Sequence, residues 1–323
     1  MIADKLVSHL AILLVIAHPD DETLYVGLLH AMVHKLNATL DLCCVTNGEG
    51  GYRYSQPSES LYGLKLSDEI IARAHLPRIR KAELQASGKI LGVRKYFYLE
   101  QKDLKYSQNI EEVFLEQWDQ ELVIKHLSNI ILTGNNQNGY DIVFVMLPNP
   151  SSHGHHSGAA LSTLNAINLI QMNQTTTNIM DSSNKIPIIL GASEFSLVGE
   201  NFDYSTKHLI NEQWYKELVN RYPLSKIDET SPMFTFNRTW RLSNEFEHDS
   251  IHLNYHLISI WMSAEHKTQG SLIPETRSVL ARDIEQYFYF QLNHNYMDNK
   301  NGVEKIEHIL NKLKTEHNIS TDK

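Results

Sequence analysis

The chain has 323 residues, 42% hydrophobic and 21% charged, an ordinary globular composition with ample material for a large core. Its 29 basic and 38 acidic side chains leave a formal charge of -9, which disfavours nucleic-acid binding through a broad basic surface. No apolar run approaches the roughly 20 residues needed to span a bilayer, and Ala11–Ala17 runs into acids instead of a signal-cleavage site, so a soluble, cytoplasmic chain without integral membrane association is expected.

The first element is Ala-Ile-Leu-Leu-Val-Ile-Ala, residues Ala11 to Ala17. A short, branched, uninterrupted apolar run predicts a buried parallel strand, here over Ile12–Ala17. It discharges into His18-Pro19-Asp20-Asp21-Glu22, a cluster that packing does not call for. The carboxyl ends of strands are where open α/β sheets bind ligands. Leu24, Leu28, Leu29 and Met32 predict a helix from Thr23 to about Lys35, and Leu40–Val45 a returning strand, so the first 50 residues read as one β-α-β unit. Cys43 and Cys44 lie in that strand and face opposite sides. They form neither a disulfide framework nor a cysteine zinc site. The strand ends in Thr46-Asn47-Gly48-Glu49-Gly50-Gly51, glycines where side chains would be in the way.

Tyr52 to Pro77 is polar and studded with aromatics, and reads as a lid or lining loop with a helix near Leu66–Ala74. A helix is predicted over Ile79–Leu91, closed by Gly92, then a strand over Val93–Leu99 and a longer helix over Ile110–Ile131. Asp141–Leu147 is the clearest later strand, and it empties into Pro148-Asn149-Pro150-Ser151-Ser152-His153-Gly154-His155-His156, with a helix from near Ser157. A weakly structured linker, Asn173–Lys185, precedes a strand at Ile186–Ala192. Beyond it, Phe234–Trp240 and Ile251–Ile260 are strand or helix candidates. Arg277–Asn293 and Val303–His317 read as helices and Ser320–Lys323 as a frayed tail. The alternation predicts an α/β fold: a Rossmann-like, mostly parallel sheet flanked by helices, with C-terminal elaboration. One domain over residues 1–323 is expected, its motifs in 11–200 and the elaboration in 201–323.

Three loops carry the chemistry: His18–Glu22, Asn47–Gly51 and Ser152–Ser157. Two histidines and a carboxylate suit zinc and leave one position open for water. Bound zinc lowers the pKa of that water towards about 7, and a neighbouring carboxylate can take its proton. His18 and Asp21 supply two ligands from one turn, leaving Asp20 as base. Against this, the acids at 20–22 also suit a helix N-terminus. His30 and His34 lack the glutamate of a metalloprotease helix and read as structural or surface residues. Gly48–Gly51 lacks the Lys and Ser or Thr of a phosphate-binding loop, and no Gly-x-Ser-x-Gly elbow is present.

Ala17-His18-Pro19-Asp20-Asp21-Glu22 resembles the signature of the N-acetylglucosaminyl deacetylase superfamily, the PIG-L/LmbE-type zinc hydrolases. Thr46–Gly51 is similar to its second block, and Arg80-Lys81-Ala82-Glu83-Leu84 followed by Leu91-Gly92-Val93 to its helix and next strand. Order and spacing agree over roughly residues 11 to 160, and Glu265-His266-Lys267-Thr268-Gln269 resembles a late element of the family. The resemblance implies His18, Asp21 and His156 as ligands of one zinc ion per chain, Asp20 as general base and His153 as oxyanion stabiliser. It gives His266 a role in orienting the base. The family's His-Pro-Asp-His block is His153-Gly154-His155-His156 here, which leaves His155 as a rival for the ligand role. The implied reaction is hydrolysis of an N-acyl, chiefly N-acetyl, amide on an amino sugar or glycoconjugate. Glu49, Tyr52, Arg53 and Arg80 are substrate-contact candidates, with Tyr54 and Tyr62 nearby in sequence. The rival expectation is a non-catalytic metal- or carbohydrate-binding protein on the same fold. Either allows a homo-oligomer.

Overall fold

The computed structural model describes residues 10–103, 106–177, 185–193, 206–242, 253–272, 283–295 and 299–319. Its strands are β1 (Ala11–Ile16), β2 (Thr39–Thr46), β3 (Val93–Gln101), β4 (Ile142–Met146), β5 (Ile188–Ala192), β6 (Phe234–Asn237) and β7 (Ile284–Tyr289). They form one sheet in the order β3-β2-β1-β4-β5-β7-β6. β1 to β5 run parallel, and β7 runs antiparallel to both β5 and β6. The longer helices are α1 (Val26–Leu36), α2 (Glu69–Leu91), α3 (Gln120–Gln137), α4 (Gly154–Thr177), α5 (Gln213–Arg221), α6 (Tyr255–Glu265) and α7 (Asn299–Glu316). None among the described residues is long and apolar enough to cross a membrane.

Alternation along the strands divides the core into two layers. Ile12, Leu14, Ile16, Leu42 and Cys44 pack with Leu29, Leu84, Met262 and Leu310 on the face of α1, α2, α6 and α7. Leu13, Val15, Cys43 and Val45 pack with Leu127, Leu164 and Leu218 on the face of α3, α4 and α5. Both cysteines are free and buried, one in each layer. A strand buried on both faces has no polar alternation to show, which is why β1 and β4 read as continuous apolar runs.

Four elements depart from the sequence expectation. The chain does not enter α1 at Thr23: a 3-10 turn over Asp21–Tyr25 intervenes, because the Asp21 side chain folds back onto the end of β1. The separate segments at Leu66–Ala74 and Ile79–Leu91 are one helix, α2, with Pro77 inside it. Asp68 caps its start by accepting from Ile70 and Ile71 amides at 3.0 and 3.1 Å, and burial of Ala72, Leu76 and Ile79 carries the helix through the proline. The helix expected over Ile110–Ile131 breaks at a π turn, Val113–Gln117, and Trp118 is extended before Asp119 caps α3. Residues 283–293 of the helix expected at Arg277–Asn293 hold β7 and a following 3-10 turn, while 277–282 lie outside the described residues. Glu285 is the reason the pattern misleads. Its carboxylate is buried, pairs with Arg238 Nε at 2.7 Å and accepts the Gly27 and Leu28 amides at the start of α1 at 2.7 and 2.9 Å. The ambiguous Ile251–Ile260 segment is helical from Tyr255, and residues 178–184 of the expected linker and the Ser320–Lys323 tail lie outside the described residues.

Asp141 ties three segments together where β4 begins. Its Oδ2 accepts the Ala11 amide at 3.0 Å, and its Oδ1 meets Lys185 Nζ at 2.5 Å and Lys305 Nζ at 2.7 Å. Burial alone would raise this carboxyl, but Lys305 and Lys185 more than offset it and hold it below the usual range. Asp141→Asn is therefore expected to cost about 1–3 kcal/mol in urea unfolding at pH 7. A depressed folded pKa stabilises fully above the unfolded value of about 3.9, so the gap to wild type should close as pH falls through the folded pKa. A gap independent of pH in that range would rule out the charge as its source.

Candidate active site

The ends of β1, β2 and β4 meet at one edge of the sheet, where β2 and β4 flank β1 and the strand order reverses. The Thr46 amide and hydroxyl both donate to Ala17 O, at 2.9 and 2.8 Å, which locks the first two strand ends together. Asp21 then folds back. Its Oδ2 accepts the Ala17 and His18 amides at 3.0 and 2.7 Å, and its Oδ1 lies 3.3 Å from His156 Nε2. His18 Nδ1 is 3.1 Å from His156 Nε2 and 3.6 Å from Asp21 Oδ2. Burial alone would raise the Asp21 carboxyl, yet His156 and His18 hold it well below the usual carboxylate range.

These donors fit a small divalent ion. Ligands about 2.0–2.1 Å from a tetrahedral zinc lie about 3.3 Å from one another, close to the 3.1 Å between His18 Nδ1 and His156 Nε2 and the 3.3 Å between His156 Nε2 and Asp21 Oδ1, while the 3.6 Å approach to His18 Nδ1 is made by the other Asp21 oxygen, Oδ2. His156 sits in the first turn of α4, and its Nδ1 is 2.7 Å from Ser152 Oγ, which orients the ring. His153 lies flat against His18, centroids 4.8 Å apart at 3°, with Tyr106 stacked on it at 4.9 Å. Donor atoms of His18, His153 and His156 lie within 4.8 Å of one another, and so do those of His18, His155 and Asp103. His155 is on the opposite side of His18 from Asp21: its Nδ1 is 3.0 Å from His18 Nε2 and its ring stacks on Trp118 at 5.1 Å. Burial, then the adjacent histidines, depress its pKa and keep it neutral.

Asp20 is held by Arg80, whose Nη2 is 2.9 Å from Asp20 Oδ2. Arg80 is 2% exposed and donates as well to Gly48 O at 2.7 Å and Pro19 O at 3.2 Å. Burial alone would weaken its charge, but Asp20 and Asp103 more than compensate. It is thus a buried guanidinium that joins Asp20 to the backbone of the first two site loops. The glycines of the second loop make this grip. Gly48 has φ of +70°, and a Cβ there would come 2.7 Å from Arg80 Nη1, while one at Gly51 would come 2.6 Å from the same atom.

His266 Nε2 is 2.6 Å from Glu22 Oε1, which also accepts Ser87 Oγ at 2.5 Å. Its carboxylate partner is therefore Glu22, the residue after Asp21, while Arg80 holds Asp20. Burial opposes protonation of His266, but Glu22 outweighs it and raises the pKa. Glu83 joins the late segment to α2, accepting Thr268 N and Oγ1 at 2.9 and 2.6 Å, and takes the Tyr62 hydroxyl at 2.7 Å. Glu49 is buried, which raises its carboxyl, and its Oε2 has no hydrogen-bond partner among the described residues. Tyr52 donates to Glu69 at 3.2 Å, and Arg53 lies over the Tyr52 ring at 5.7 Å.

Sequence reasoning passed over Asp103 and Trp118. Asp103 follows the carboxyl end of β3 and accepts the Gly50 amide at 3.1 Å, a position shared with the other site loops. Trp118 lay inside a pattern read as continuous helix, and only the break exposes its role.

The PIG-L family, described as GlcNAc-PI de-N-acetylase, matches residues 13–167, a stretch containing His18, Asp20, Asp21, Arg80, His153 and His156. No curated protein sequence matches the chain. Among solved structures, N,N'-diacetylchitobiose deacetylase from Pyrococcus horikoshii is similar at 15% identity and TM-score 0.47, over 89% of this chain and 86% of that one. The 4-carboxy-2-hydroxymuconate hydratase of Pseudomonas putida is similar at 12% identity and TM-score 0.44, over 87% of this chain and 96% of that one. Teicoplanin deacetylase, in a zinc-inhibited form, is similar at 11% identity and TM-score 0.43, over 86% of this chain and 97% of that one. Likeness at this level bears on neither chemistry nor substrate.

Proposed function

The chain belongs, through residues 13–167, to the PIG-L/LmbE deacetylase superfamily, and from that footing we propose that it hydrolyses an N-acyl amide on an amino sugar or glycoconjugate with one divalent ion, zinc, per chain. The observation that carries the reading is the triangle of His18, Asp21 and His156 with Asp20 gripped beside it by Arg80.

When bound there, a zinc ion would polarise the acyl carbonyl and acidify a water molecule. Asp20 accepts the proton of the attacking water: Arg80 holds Oδ2, leaving Oδ1 for transfer. The same group then returns the proton to the leaving amine. His153, clamped between His18 and Tyr106, donates a hydrogen bond to the developing oxyanion. Arg80 is a positioning residue, and His266 acts through Glu22, holding the acid beside Asp21 in place. Products are a free amine and a carboxylate, chiefly acetate.

Two features support a sugar-bearing substrate. Glu49 is a buried carboxyl with an oxygen unpartnered among the described residues, suited to a hydroxyl group. A cleft of about 270 Å3 is lined by Gln108, Pro150, Trp214, Tyr222, Glu217 and Arg221 among others. Gln108 also donates to Ser151 O at 3.1 Å, so the cleft adjoins the His153 loop. Aromatic side chains with a few polar groups are a lining that suits a small organic ligand. The chain is read as one catalytic unit, with 201–323 supplying His266, and its proposed setting is cytoplasmic.

A second reading, a metal-holding protein without turnover, draws on His153. Were it to ligate beside His18, His156 and Asp21, four protein donors would close the coordination sphere. The deciding experiment is metal analysis of protein purified without added metal, with amine release from a panel of N-acetylated sugars before and after chelation. About one zinc per chain with release abolished by chelator and restored by zinc is expected. Full zinc without release from any member would favour the second reading.

A further inference from the structure

We infer that His155 is a positioning residue for the metal ligand His18: an imidazole whose Nδ1 accepts the His18 Nε2 hydrogen and so commits Nδ1 of His18 to the ion. The inference rests on the metal reading above. It starts from proton accounting. His18 has two ring nitrogens, and both are engaged: Nδ1 faces His156 at 3.1 Å and Asp21 at 3.6 Å, while Nε2 lies 3.0 Å from His155 Nδ1. A metal takes a lone pair, so the nitrogen facing the ligand triangle must be bare and the other must carry the proton. His18 Nε2 is then a donor, and His155 Nδ1 has to accept. That fixes His155 as the tautomer protonated on Nε2.

The surroundings agree with that assignment. Asp103 Oδ1 lies 3.6 Å from His155 Nδ1, too long for a hydrogen bond that would require a proton on that nitrogen. Asp103 is instead engaged through Oδ2, which accepts the Gly50 amide at 3.1 Å. Trp118 supplies the shelf: its ring stacks on His155 at 5.1 Å and 26°, and its Nε1 donates to Lys102 O at 3.1 Å. The break before α3 places that indole there. His155 itself has no exposed surface, so water is not at hand to replace it as acceptor. The helix break, the tryptophan shelf and the buried imidazole thus form a series ending at His18.

Partners of this kind are worth 10–100-fold in metal affinity. His155→Leu keeps the volume but removes the acceptor. His155→Asn places a carbonyl oxygen near the Nδ1 position. Zinc affinity, measured on the full chain by chelator competition, is expected to fall about 10–100-fold in the leucine variant and to stay near wild type in the asparagine variant. Nitrogen-15 spectra of the zinc-loaded wild type should show His18 metallated on Nδ1 and protonated on Nε2. Wild-type affinity in His155→Leu would overturn the inference, as would an asparagine variant as weak as the leucine one, which would point to packing alone. Two zinc ions in wild type and one in His155→Leu would overturn it too, making His155 a ligand of a second ion with Asp103. A wild type that holds no zinc overturns both this inference and the metal hydrolase. The expected order of affinities without amine release sinks only the hydrolase.

Discussion

Asp20→Asn is expected to keep its zinc and lose about 10²–10⁴-fold in amide hydrolysis per metal-loaded chain. The amide is nearly isosteric, and its oxygen can still accept from Arg80 Nη2, which holds Oδ2 at 2.9 Å in the native turn. What it lacks is a basic lone pair able to take a proton from water. The proposed ligands Asp21 and His156 contact each other at 3.3 Å without Asp20, so metal content should not change. Some stability should be lost, because Arg80 is buried and its charge is no longer balanced by Asp20. Activity must therefore be normalised to folded, zinc-bearing protein. Turnover within a few-fold of wild type would remove Asp20 as the base and leave the triangle to be read as a binding site.

His156→Ala is expected to lower zinc affinity beyond the 100-fold upper end usual for an outer-shell partner, and to lose amine release with it. Its Nε2 lies 3.1 Å from His18 Nδ1 and 3.3 Å from Asp21 Oδ1, so its removal opens the triangle. Ser152, 2.7 Å from His156 Nδ1, then loses its partner as well. His155→Ala should weaken binding less, since His155 touches only the far nitrogen of His18 among these groups. The comparison separates the two adjacent histidines directly. If His155→Ala released more zinc than His156→Ala, the ion would sit on the Asp103 side of His18 and the assignment of ligands would have to be reversed.

The amino-acid sequence by itself determined the sheet's parallel half and narrowed the candidate ligands to His18, Asp21 and one of the adjacent pair His155 and His156. β1 and β4 are apolar on both faces and β2 nearly so, with Asp41 inside it, so burial marks them, and each ends in a loop rich in His, Asp or Gly. Ligand chemistry needs specific side chains, and those are visible one residue at a time. Tertiary structure alone decided what each polar group does. Glu22 looked like a helix-start acid until α6 brought His266 to within 2.6 Å of it. Arg80 looked like a surface contact until the glycine loop closed over its guanidinium and turned it onto Asp20. β7 was hidden because Glu285 sits inside the sheet, and a buried carboxylate makes sense only once Arg238 and the start of α1 are beside it. His155 and His156 are neighbours of identical chemistry, and only the direction of the first turn of α4 sends one to the ligand triangle and the other to the back of His18. A side chain's type is local information; its partner depends on residues up to 258 positions away, and the packing of the whole sheet makes that choice.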